Sequence, residues 1–246
     1  MDYIIDAEQM NNENLFKASV YLDACFILAY LDKTDLRKLD VADTLDIWAE
    51  NEVKLGYSNH TFTEVTNRLF QMLVLGSLQV YHEKKQLLNN TRNGFDKLSD
   101  EEKGKLINLD SARYLYRVAK DEDILRFYNR EVAANVGELI KRAKEDQNKR
   151  YLLDIYYHLA LEIFNNFIRK MREELEFEVE LLSDGFEENE LAKVHMQLTQ
   201  LDSTDSVHLA IARINEFDYL ATLDSDFVHD YYSNVDGLAM KIIKVA

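Results

Sequence analysis

Four carboxylates in this chain stand where an α/β protein would gather a ligand. Asp23 follows the apolar run ASVYL (18–22). Glu64 falls in the first turn of a helix that follows VKLGYS (53–58). Asp205 opens a stretch, 203–215, with Val207, Ala210, Ile211 and Ile214 at helical spacing. Asp224 ends YLATL, and Asp226 stands two residues on. Asp23 and Asp224 thus end strands, Glu64 and Asp205 start helices, and open parallel sheets bind their ligands outside the carboxyl ends of their strands. Carboxylates brought together repel unless cations neutralise them. Hard divalent ions with oxygen ligands, Mg²⁺ or Mn²⁺, do that, and such a centre can activate water and offset charge in phosphodiester cleavage.

Each acid also has a plain structural explanation. Asp23 and Asp224 suit N-cap positions. Thr61 and Glu64 have the spacing of a capping box, and Asp205 near a helix start favours the dipole. What sets them apart is that all four recur in order on one alternating pattern.

The elements that must hold them follow from hydrophobic period. Strands are expected at 18–22, 53–58, 177–183, FDYLATLD and 240–245. Helices are expected at 24–31, 35–50 (Leu36, Leu39, Val41, Leu45, Trp48), from Thr61 onward, 187–199 and 203–215. Strands alternating with helices at both ends predict an α/β parallel sheet. Between them, 81–180 shows no convincing strand before FEVELLS. It has helix-compatible stretches at 111–119, 124–144 and 150–176, and a loop over 93–105 that ends in the capping box Ser99–Glu102.

Charge marks the same middle. The net charge is −16, a poor starting point for binding nucleic acid. Residues 81–180, however, hold 19 of the 29 Lys and Arg against 20 acids, while the rest holds 10 against 25. The shift predicts a discontinuous domain, 1–79 with 177–246, interrupted by a helical insertion at 80–176. The absence of proline and the 7 glycines fit long helices. A single cysteine, Cys25, excludes an internal disulfide and any multi-cysteine zinc site. With no apolar leader and no uncharged run longer than Leu69–His82, a cytoplasmic protein without a membrane span is expected.

The ordered motifs VYLDACFILAYL, TEV at Glu64, TDSVHLAIA and YLATLDSDF resemble the PIN-domain family of metal-dependent nucleases, which includes the VapC-type toxins. The resemblance covers about 18–75 and 177–246. It implies a three-layer α/β/α sandwich with a short parallel sheet, and a Mg²⁺- or Mn²⁺-dependent endoribonuclease acting on single-stranded RNA. Asp23, Glu64, Asp205 and Asp224 would be the catalytic metal ligands, supported by Thr222 and Asp226. It also raises an antitoxin as protein partner. Two departures stand out. Ala24 replaces the Ser or Thr that often follows the first family Asp, and 141 positions separate Glu64 from Asp205, against a short gap in compact members.

In the insertion, Arg113, Arg117 and Lys120 share a helix face, and Lys141, Arg142 and Lys144 form the densest basic run. Both are candidates for RNA contact and both are also what solvated helix faces look like. Residues 150–170 are apolar on more than one side, as in a buried bundle helix or a homodimer surface. The competing function is a PIN-like scaffold, its nuclease activity weak or lost, that binds a protein partner through the insertion. Asp224-Ser-Asp226 also resembles the DxD of haloacid-dehalogenase-like phosphatases, but only 20 residues follow it. No HExxH pair exists. His208 reads as a core or surface histidine, and Cys25 as a small hydrophobe.

Overall fold

The computed structural model describes residues 3–10, 13–90, 93–119, 124, 136–227 and 240–245. Among them lies a six-stranded, all-parallel sheet: β1 (Ile4–Ile5), β2 (Ser19–Leu22), β3 (Lys54–Ser58), β4 (Glu178–Leu182), β5 (Tyr219–Thr222) and β6 (Lys241–Lys244). Their spatial order is β1-β6-β5-β2-β3-β4. Val20 aligns with Leu55 on one side and with Tyr219 on the other. Central parallel strands are covered on both faces and so read as unbroken apolar runs. Val20, Tyr21 and Leu22, and all of β5, are accordingly buried, whereas the edge strand β4 is mostly exposed. The chain moves from β2 outward to β3 and β4, then returns to the other side of β2 for β5. The strand order therefore reverses between β2 and β5, the crevice where parallel sheets bind ligands.

Helices α1 (Ala7–Met10), α2 (Ala24–Leu31) and α3 (Lys38–Glu50) precede the long α4 (Asn59–Asn90). In α3, Val41, Leu45 and Trp48 are buried but Leu39 is exposed, as is Leu36 just before the helix, which corrects the stripe expected from the sequence. Helix α4 starts two residues before Thr61, because Ser58 Oγ accepts from the Thr61 amide at 3.2 Å. The expected Thr61–Glu64 box is therefore not the cap, and the Glu64 carboxylate is directed elsewhere. Further on come α5 (Asp100–Leu106), α6 (Leu109–Val118), α7 (Val136–Glu145), α8 (Asp154–Glu173), α9 (Phe186–Thr199) and α10 (Ser203–Ile214). Helix α5 occupies much of what the sequence suggested was a loop, started by the Ser99–Glu102 box. The middle of the expected 124–144 helix, 125–135, lies outside the described residues.

The chain divides into two compact units. One comprises Met1–Thr66 with Ile163–Ala246, the other Asn67–Glu162. The composition shift had suggested 80 and 176. Both divisions fall within helices, α4 and α8, whose sequences carry no break. The first unit holds the sheet and a core that includes Tyr21, Leu209, Ile211, Phe217, Leu220 and Ile242. Gly56 in β3 is fixed by that core: a Cβ there would lie 2.2 Å from Phe217 Cζ. The second unit is helical throughout its described residues, with Val80, Tyr81, Leu88, Leu98, Leu106 and Ala112 clustered together. It has 17 Lys and Arg against 15 acids, while the first unit has 12 against 30. Among the described residues no helix is long and apolar enough to cross a membrane.

Candidate metal centre

Asp23 ends β2 and caps α2. Its amide donates to Ala221 O of β5, and the residue is 4% exposed. Oδ1 accepts from the Ala24 amide at 2.6 Å. Oδ2 accepts from Thr222 Oγ1 and from the Cys25 thiol, each at 2.8 Å. Thr222 closes β5 and is fully buried. Its hydroxyl also accepts from the Asp224 amide at 3.0 Å, so one side chain joins the ends of the two central strands. Asp224 Oδ1 in turn accepts from the Asp226 amide and starts the short turn that buries Phe227, leaving Asp226 exposed.

Cys25 is a donor here, not the plain hydrophobe the sequence suggested. Burial pushes its thiol pKa up, and the Asp23 charge adds to that. It also accepts from the Leu223 amide at 3.1 Å. A thiol held protonated in this way is no nucleophile.

Glu64, half-buried on α4, meets His208 of α10. Its Oε2 lies 2.6 Å from His208 Nε2. His208 is fully buried, with Nδ1 2.7 Å from the Tyr21 hydroxyl. That hydroxyl also touches Ser58 Oγ at 2.7 Å and Thr61 Oγ1 at 3.1 Å. Tyr21 stays a phenol, because burial raises its pKa. Either Tyr21 donates into Nδ1 of the ring, or it donates to Ser58 or Thr61 and accepts from Nδ1–H. An ionised Glu64 at 2.6 Å favours a proton on Nε2, and the neutral Nδ1–H tautomer frees Nε2. Burial opposes charging the ring, but the Glu64 hydrogen bond and the charges of Asp23, Glu64 and Asp205 outweigh it, so the His208 pKa is raised.

Asp205 lies one turn before His208 on α10. It does not cap the helix. Asp202 does, accepting from the Thr204 and Asp205 amides, and this leaves the Asp205 carboxylate uncommitted to the helix end. Its pKa is pushed up to about 7, first by burial and then by the charges of Asp202, Asp23 and Asp224, with His208 opposing. Desolvation and like charges both disfavour the ionised form, so they act here in the same direction.

Among the described residues, Asp23, Glu64 and His208 offer ligand atoms within 4.8 Å of one another. Asp205 and Asp224 are outside that trio, although both charges act in the cluster. The two carboxylates suit Mg²⁺ or Mn²⁺, and the imidazole adds a ligand only as the neutral ring with Nε2 unprotonated, since Nδ1 faces Tyr21. His208, Tyr21 and Cys25 were missed as site residues in the sequence. The usable signal was Asp205-x-x-His208, since i and i+3 share a helix face.

The basic candidates separate. Arg113 and Arg117 line one surface depression on the helical unit. Lys141, Arg142 and Lys144 do not line it. Arg142 is half-buried and engaged, and Lys144 sits 5.3 Å from the centre of the Tyr157 ring. Lys120 lies outside the described residues. No family model, curated protein or solved structure matches the chain.

Proposed function

We propose that the chain is a divalent-metal-dependent endoribonuclease with a PIN-like three-layer α/β/α catalytic domain, hydrolysing phosphodiester bonds in single-stranded RNA. The observation that carries this reading is the meeting of Asp23, Glu64 and His208 beside Asp205 and Asp224, at the crevice where strand order reverses. A scaffold gains nothing from carboxylates crowded closely enough to push up the Asp205 pKa, whereas a Mg²⁺ or Mn²⁺ site needs them. Bound there, the metal supplies charge neutralisation and an activated water. The chain's own part is positional. Thr222, Cys25 and the Ala24 amide orient Asp23. Tyr21 holds His208 through Nδ1, with Nε2 turned towards Glu64.

One observation favours the second reading, a PIN-like scaffold that recruits a protein partner, such as an antitoxin, through its helical unit. Glu64 is already matched by an imidazole N–H at 2.6 Å, which leaves less charge for a cation to neutralise. A cleavage assay decides between them. Wild type should cut single-stranded RNA in Mn²⁺, stop when EDTA is added, and lose on the order of a hundredfold or more as Asp205→Asn, the scale of losing one charge-stabilising group. Cutting that survives EDTA, or is equal in the variant, overturns the nuclease reading.

A further inference from the structure

The helical unit carries a depression whose charged lining residues are all cations. Lys85 and Asn89 come from α4, Arg113 and Arg117 from α6, and among the described residues no carboxylate lines it. Three features hold it in shape. The Tyr81 hydroxyl donates to Asn89 Oδ1 at 3.2 Å, which leaves the Asn89 amide NH₂ as the group available to a ligand. The Lys85 ammonium lies 4.5 Å from the centre of the Tyr116 ring, held near the aromatic face. Arg113 donates to Leu88 O at 3.3 Å and faces Asp110 at 3.6 Å, so it is a partly neutralised floor. Lys85, Asn89 and Arg117 are exposed. Among the described residues neither Lys85 nor Arg117 forms an ion pair.

We propose that this depression is a binding site for the phosphate backbone of single-stranded RNA. The proposal rests on the nuclease reading for the identity of the polyanion. Cations without a carboxylate beside them in the lining select anions, and an aromatic ring set among Lys and Arg is how proteins accommodate unpaired nucleotides. Without bound metal the acidic first unit repels phosphates, which leaves the balanced helical unit as the place for such contacts.

The test is binding of a fluorescent single-stranded RNA in EDTA, read by anisotropy over a range of salt, so that cleavage plays no part. The double variant Lys85→Gln with Arg117→Gln should bind on the order of tenfold more weakly. Its salt slope should be shallower by about 1.4, from two single-strand phosphate contacts at ~0.7 each. Lys103→Gln with Lys105→Gln removes the same charge from residues already paired with Asp100 and Glu101, and should leave affinity within about twofold. Equal losses in the two doubles, or no loss in the first, overturn the site. So does displacement of the RNA by polyglutamate at matched charge, which would mark a site for acidic protein. If wild type binds RNA in this way but does not cut it in Mn²⁺, the nuclease reading falls and the binding site stands.

Discussion

The Thr222 hydroxyl donates to Asp23 Oδ2 across 2.8 Å, joining the carboxyl ends of two neighbouring parallel strands whose residues lie 199 positions apart. Asp23 is buried and Thr222 fully so. Removing a donor from a buried carboxylate leaves a desolvated acceptor short of a partner, which costs about 1–3 kcal/mol. Thr222→Val keeps the side-chain shape and should lose that much in urea denaturation, while Thr222→Ser should lose much less. Equal stability of Val and wild type would show that the bond is idle.

Crowded carboxylates should link metal to stability. Metal-free protein should melt higher on adding Mn²⁺, by about 2.7 kcal/mol at a hundred times Kd. Asp224→Asn should raise the melting temperature of the metal-free protein and shrink the Mn²⁺ shift, because Asp224 is among the charges that raise the Asp205 pKa. No shift with millimolar Mn²⁺ would refute the metal centre.

Asp205 gives this a pH window. Its folded pKa, about 7, lies above its ordinary 3.8. The folded protein therefore holds the extra proton between these values. The stability this contributes is complete below 3.8 and is lost as pH rises through 7. Each tenfold gain in proton affinity is worth ~1.4 kcal/mol. The carboxylate is only half-buried, so solvent screening cuts the total to about 1–2 kcal/mol. Metal-free Asp205→Asn should gain on wild type between pH 5 and pH 8, in paired denaturation curves. Saturating Mn²⁺ should flatten the difference in wild type. Parallel curves without metal would remove Asp205 from the cluster.

Gly56→Ala tests the sheet beneath the site. The new Cβ would meet the Phe217 ring at 2.2 Å, and that ring packs edge-on against Tyr21 at 5.9 Å. Overpacking of this kind costs about 1–3 kcal/mol. Adding Phe217→Leu should recover part of it. A neutral Gly56→Ala would mean that the ring moves aside freely.

The sheet-bearing half of the fold is readable in the sequence because its central strands are short apolar runs, two of them leading directly to an Asp. β2, β3 and β5 announce themselves that way, and so does the helix that follows β2 and β3. β1 does not, since Ile4–Ile5 is too short to show a period. The length of α4 is obscured because its hydrophobic stripe continues without a break into the second unit. His208 is hidden by chemistry rather than by pattern. A lone histidine on an apolar helix face looks like core, and only the fold brings Tyr21 and Glu64 to its two nitrogens. The Thr61–Glu64 spacing misleads for a related reason: Ser58 already provides the cap, so Glu64 is left for the site.

The pairing of β2 with β5 also sets a timetable. Asp23 and Glu64 leave the ribosome early, whereas Asp205, Thr222 and Asp224 follow only after the whole helical unit has been made. At ~5–20 residues per second, the 199 positions from Asp23 to Thr222 take about 10–40 s to translate. Throughout that interval β2 lacks one neighbour, and Asp23 and Glu64 wait without Asp205, Thr222 and Asp224. The carboxylate cluster therefore assembles only after both units have been translated.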